Sequence, residues 1–145
     1  MENTFYYNTT VKWEEGRVGE LSNPDFPSIK VATPPEFPKG EPNVWSPEHL
    51  FVASANICLM TTFLAIAENS KLDFKSFECV GKGKLEKVEG TLMFSEIVLK
   101  PIVVIGSDKE KEKTLRIIEK SEKLCLITNS MKTKVTVESQ IKIKS

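Results

Sequence analysis

Hydrophobic and polar positions alternate along this chain with two different periods, and each change of period marks a new element. Phe5, Tyr7, Thr9, Val11 and Trp13 recur at every second position, which predicts a half-buried strand. After the turn Glu14-Glu15-Gly16, Val18 to Leu21 and Ile29 to Ala32 are two further short strand candidates, separated by the turn-forming run Asn23-Pro24-Asp25-Phe26-Pro27. Together these stretches predict a small N-terminal β-meander. Four prolines and Gly40 between Pro34 and Pro42 preclude regular structure, so an ordered loop or lid follows.

A helix then starts with unusually clear signals. Ser46 is an N-cap, Pro47 occupies the first helical position and Glu48 the first turn, and each satisfies or complements the orphan N–H groups there. The 18 residues from Leu50 to Ala67 carry no charge, so this helix must be buried on most sides. That length is the lower limit for a membrane span. Ser54, Asn56, Thr61 and Thr62 interrupt the run, Glu48 and Glu68 flank it, and basic anchors are missing, so a core helix is expected and no membrane.

Alternation returns from Phe77 to Leu85 and from Thr91 through Leu99 to Ile105, two long strands joined as a hairpin across Val88-Glu89-Gly90. Ser107 or Asp108 caps a second helix whose first turns, Lys109 to Lys113, alternate in charge and form a solvated face. Its expected buried side carries Leu115, Ile118 and Cys125, with Glu122 between them, and it ends near Asn129. Val135, Val137, Ser139, Ile141 and Ile143 mark a last alternating strand. The order is meander, helix, hairpin, helix, strand, which is the α+β class.

Composition narrows the functions open to such a fold. At 145 residues the chain is expected to be one domain over 1–145. Its 20 basic and 20 acidic side chains cancel, leaving no electrostatic footprint for nucleic acid. The N-terminal residues Met1 to Phe5 lack a signal-peptide pattern, and a cytoplasmic location is expected. The three cysteines, Cys58, Cys79 and Cys125, are then expected as thiols rather than as a disulfide framework. With His49 as the single histidine and no close cysteine pair, no metal site is expected, and no cofactor. Position alone makes each cysteine a small core residue and His49 a first-turn surface residue.

Gly16-Arg17-Val18-Gly19 in the meander, Thr33-Pro34, Ser46-Pro47-Glu48-His49-Leu50-Phe51 ahead of Cys58, and Cys125 followed by Ser130 and the final strand give the cysteines a different context. In these pieces and their order the sequence resembles the OsmC/Ohr family of thiol-dependent hydroperoxide reductases. The resemblance implies an intertwined homodimer in which two sheets wrap paired central helices, acting on organic hydroperoxides or hydrogen peroxide. By position it implies Cys58 as the peroxidatic cysteine, Cys125 as the resolving one, Arg17 as the activating cation and Glu48 as the residue that orients Arg17. The chain departs from the family in having Leu126 where proline often follows the second cysteine, and Asn56-Ile57 where small residues precede the first.

The chemistry of these residue types agrees with the implied roles. A thiolate cleaves a peroxide O–O bond, and a thiol in an apolar helix needs a cation to offset its desolvation. Arg17 is one of two arginines in a chain that otherwise uses lysine. A second thiol condenses with the sulfenic acid before further oxidation, and a dithiol or thiol reductant restores both. Glu48 and Cys58, ten residues apart, are separated by about 15 Å along one helix, so they cannot meet within it. Antiparallel pairing of two such helices about a twofold axis near Ala53 would set position 48 of one level with position 58 of the other. Small Ala53 and Ala55 would permit that approach, so an active site at a homodimer interface is expected. The other class of answer is a non-catalytic OsmC-like dimeric module that binds an apolar small ligand. A channel lined by Phe37, Trp45 and Phe51, gated by the proline-rich loop, is a further expectation.

Overall fold

The computed structural model describes residues 3–144, which fall into two compact units, one up to Phe51 and the other from Val52 on. The first unit is a meander of β1 (Thr10–Glu15), β2 (Val18–Asn23) and β3 (Phe26–Ala32), in the order β1-β2-β3 and antiparallel throughout. Gly16, at φ 53°, makes the tight turn into β2. The strand expected from Phe5 begins only at Thr10, and its side chains are exposed rather than half-buried: Trp13 is 73 % and Tyr7 89 % accessible. Alternation in sequence buries a face only where a second layer covers it, and the described side chains of β1 are all exposed.

The proline-rich segment is an ordered loop of consecutive turns. Phe37 N–H donates to the Pro34 carbonyl (3.1 Å), Gly40 N–H to Phe37 (3.0 Å) and Glu41 N–H to Thr33 (2.9 Å). Gly40 is required by that closure, since a Cβ there would lie 1.9 Å from the Pro34 oxygen. Ala32 N–H donates to the Trp45 carbonyl and brings the chain back beside β3 before the helix starts.

Helix α1 (Pro47–Asn69) begins where its capping residues place it. Ser46 Oγ accepts the His49 backbone N–H at 3.0 Å and contacts His49 Nδ1 at 2.6 Å, and Ser46 is fully buried. By length and composition α1 could cross a membrane, yet it supplies core: Ala55, Cys58, Leu59, Phe63 and Ala67 are buried. A second stripe is not covered. Ile57 is 55 % and Leu64 40 % exposed, and Met60 lies between them, so the helix expected to be buried on most sides is buried on one in the single chain.

The second unit is built on a mixed sheet of β4 (Phe74–Val88), β5 (Thr91–Ile105), β6 (Lys134–Val137) and β7 (Gln140–Ile143). β4 and β5 form the expected hairpin, closed by Glu89 (φ 51°) and Gly90 (φ 84°), the positive pair that a tight primed turn requires. Along β5, Ile97, Leu99, Val103 and Ile105 are buried at every second position. Gly83 in β4 lets α1 approach, because a Cβ there would come within 2.5 Å of Val52. Phe63 is the centre of the core; its ring meets Phe74 edge-on at 5.3 Å and Phe77 at 4.9 Å, with Ala67, Leu72, Ile117 and Ile118 around them.

Two sequence expectations need correcting in this unit. The last strand is split: β6 and β7 both run parallel to β5 in one continuous register, with a break at Glu138-Ser139. Leu99 gives its carbonyl to Glu138 N–H at 2.8 Å, and Pro101, two residues on and facing the same edge, has no N–H to continue the ladder. Helix α2 (Lys111–Leu124), entered through a 3-10 turn at Asp108–Glu110, buries Thr114, Ile117, Ile118 and Ser121, while Leu115 is exposed. Thr114 and Ser121 pass as core residues because their hydroxyls donate to the carbonyls one turn back, at 2.7 and 2.6 Å. α2 stops at Cys125, whose ψ of 111° is extended, and Leu126–Asn129 form a separate one-turn helix, α3.

Candidate functional site

Cys58 sits on the buried face of α1, and Cys125 sits at the break between α2 and α3; both are free thiols. Cys58 is 9 % and Cys125 1 % accessible, and the two thiols hydrogen-bond to each other. The break at Cys125 determines what else reaches Cys58. Because the chain turns out of α2 there, the amides that open α3, Leu126 N–H and Ile127 N–H, donate to the Cys58 sulfur. Thr62 Oγ1, one turn further along α1, lies 3.9 Å from it.

These contacts set the two thiols apart chemically. Burial pushes the Cys58 thiol up, but the Cys125 hydrogen bond, the Ile127 and Leu126 amides and Thr62 together hold it below the ordinary cysteine value. Cys125 is raised, first by burial and then by its hydrogen bond to Cys58, with the Thr128 hydroxyl and amide offsetting part of that. The two shifts run in opposite directions, Cys58 down and Cys125 up. Cys79, in β4, is pushed up to about 11 by burial, which the Lys100 amide offsets only in part, so it stays a packing residue.

Sequence reasoning missed the local donors. Thr62 was open to discovery, being four residues after Cys58 on a helix. The amides of Leu126 and Ile127 were not, since neither proline nor glycine announces the break at Cys125. Leu126 occupies the first position of α3, where proline is tolerated at a helix start. Having leucine there, this chain keeps an N–H that proline would lack.

The two charged candidates belong to the first unit. Arg17 is exposed in the turn between β1 and β2, and among the described residues no ion pair holds it or joins it to Glu48. Glu48 Oε1 is shielded from solvent without a hydrogen-bond partner among the described residues, a costly state for a carboxylate oxygen and one that calls for a donor. His49 is exposed, its ring edge-on to Trp45 at 6.2 Å. Ala55 is fully buried within its own chain, so it does not face outward as a small contact for a second helix.

Beside Cys125 lies a cavity of about 390 Å³. Leu59, Leu99, Val135 and Val137 give it apolar walls, and Glu122, Lys123, Thr128, Asn129 and Thr133 line the rest.

Comparison with known proteins places this arrangement. A solved OsmC-like protein of unknown function from Vibrio cholerae is 23 % identical and superposes with a TM-score of 0.86 over 94 % of this chain and 99 % of that one. An organic hydroperoxide resistance protein OsmC from Legionella pneumophila, 20 % identical, has a TM-score of 0.72 over 97 % of this chain and all of its own. The uncharacterized protein YmaD of Bacillus subtilis is 21 % identical over 102 residues, 68 % of each chain. The α+β architecture is thus that of OsmC-like structures. The family model for OsmC-like proteins matches residues 40–140, which include Cys58 and Cys125, and the chain belongs to that family.

Proposed function

We propose that residues 1–145 act as one OsmC-like domain and as a thiol peroxidase, reducing organic hydroperoxides, and hydrogen peroxide as a second substrate, through Cys58 and Cys125. The observation that carries this reading is the pair of contacting thiols, one of them held low by amide donors. The Cys58 thiolate attacks one peroxide oxygen; the O–O bond breaks, the alkoxide takes up a proton and leaves as the alcohol, and Cys58 becomes a sulfenic acid. The Cys125 thiol then attacks the Cys58 sulfur, water leaves with the Cys125 proton, and a disulfide forms. A dithiol or thiol donor returns the two electrons.

Arg17 serves in this reading as the cation that activates the Cys58 thiol, and Glu48 as the carboxylate that orients Arg17. Glu48 Oε1, without a partner among the described residues, supports that role, because a guanidinium is the donor such an oxygen lacks. Glu48 is too far along α1 to serve Cys58 of its own chain, so the site is completed across a homodimer interface. The uncovered stripe of Ile57, Met60 and Leu64 supports a second copy of α1 as its cover. The expected setting is the cytoplasm, where donor thiols are abundant.

A steady-state assay with an alkyl hydroperoxide and a small dithiol should show turnover that Cys58→Ser abolishes; full activity in that variant ends the reading. The second reading, a non-catalytic dimeric module for an apolar ligand, draws on the apolar walls of the cavity beside Cys125. It requires Cys58 and Cys125 to remain free thiols after a stoichiometric dose of peroxide.

A further inference from the structure

A disulfide between Cys58 and Cys125 can be opened at either sulfur, and the peroxidase reading, on which this inference rests, does not say which. We propose that the cavity beside Cys125 is the entry for the thiol reductant, which attacks the Cys125 sulfur and expels Cys58 as a thiolate. Cys125 forms part of the cavity wall and Cys58 does not, so a molecule in the cavity lies against the resolving residue. Its volume of about 390 Å³ is that of a small-molecule site, roughly 300–1,000 Å³. Leu59, Leu99 and Val137 suit the carbon skeleton of a small dithiol, while Glu122 and Lys123 suit a polar end.

The leaving group points the same way. Thiol–disulfide exchange is faster when the expelled sulfur is the more stable thiolate. Cys58 has the Leu126 and Ile127 amides and Thr62 ready to receive its negative charge, and it is the sulfur held below the ordinary cysteine value. In the first step a donor thiolate bonds to Cys125 Sγ, the S–S bond breaks, and its electron pair goes to Cys58. In the second, the donor's other thiolate attacks the donor sulfur of that mixed disulfide and releases Cys125, which takes up a proton. The donor leaves as a cyclic disulfide, oxidised by two electrons, and both cysteines are reduced.

The test separates this half-reaction from peroxide chemistry by forming the disulfide with diamide instead of a hydroperoxide. Oxidised protein is treated with 2-mercaptoethanol, quenched in acid within the first turnover, and mapped by peptide mass. The adduct is expected on Cys125; an adduct on Cys58 overturns the proposal. Reduction by dithiothreitol is then timed in Thr133→Trp and Lys123→Trp, which fill the cavity from its wall. Slowing of about tenfold in either is expected, and wild-type rates in both overturn the proposal. Partial unfolding would expose the disulfide and speed its reduction, so slowing is not a folding artefact. The peroxidase reading fails on a different observation, an alkyl hydroperoxide that leaves Cys58 of the wild-type protein unoxidised.

Discussion

The thiol of Cys58, within α1, hydrogen-bonds to the thiol of Cys125 at the junction of α2 and α3. In the peroxidase reading a resolving thiol is therefore already a neighbour of Cys58. Replacing Cys125 by serine should therefore leave the attack on peroxide in place and remove its resolution. Intact mass after one equivalent of an alkyl hydroperoxide should show wild-type protein lighter by two hydrogens, the disulfide. Cys125→Ser should instead gain one oxygen, then a second as peroxide is added in excess.

The amide of Leu126 offers a second test. Proline at the first position of α3 keeps the turn but removes one donor to the Cys58 sulfur. With fewer donors to the thiolate, Leu126→Pro should shift the midpoint of the pH profile for Cys58 alkylation upward. In the wild-type protein that midpoint should lie below the ordinary cysteine value, since the contacts lower it. Cys79, raised to about 11, should not react until well above both and serves as an internal reference.

Core stability rests most on Phe63, which is fully buried between Phe74 and Phe77. Phe63→Ala should cost about 3–5 kcal/mol in denaturant-induced unfolding, the usual range for deleting a buried aromatic ring. A conservative Phe63→Leu should cost clearly less.

Leu64 stands in the uncovered stripe of α1 between Met60 and Glu68. If a second copy covers this stripe, Leu64→Glu leaves an unpaired carboxylate in an apolar contact, a penalty of about 3 kcal/mol or more. Sedimentation should then show self-association weakened about a hundredfold. In a protein whose stripe faces solvent, the same substitution would leave the sedimentation unchanged.

What could be read in the sequence was whatever has a short-range cause. Ser46 and Pro47 announce the start of α1, Glu89-Gly90 the hairpin, and the odd positions of β5 its buried face. The errors arose where the cause lies elsewhere in the fold. Leu115 was expected inside and Thr114 was not considered, because a hydroxyl that bonds one turn back is polar in sequence and satisfied in structure. The split between β6 and β7 comes from Pro101 on the neighbouring strand. Ala55, expected to face a second helix, turned out to face its own chain. The two cysteines were legible as a pair only through the family resemblance, and the amides that lower Cys58 come from a break that no local residue signals.

In the peroxidase reading, the placement of Cys58 and Cys125 would also make oxidation a mechanical event for the protein. Phe63, Ala67, Leu72, Val103, Ile105, Ile117 and Ile118, the entire core cluster, lie between them along the chain. A bond between the two sulfurs closes a ring of about 67 residues around that core, and in the chain-entropy view such a ring removes about 4 kcal/mol of freedom from the unfolded state. The oxidised protein should therefore melt at a distinctly higher temperature than the reduced one. Each catalytic cycle would take the fold through a stiffer and a looser state, and a thermal shift would be enough to tell which half of the cycle a sample is in.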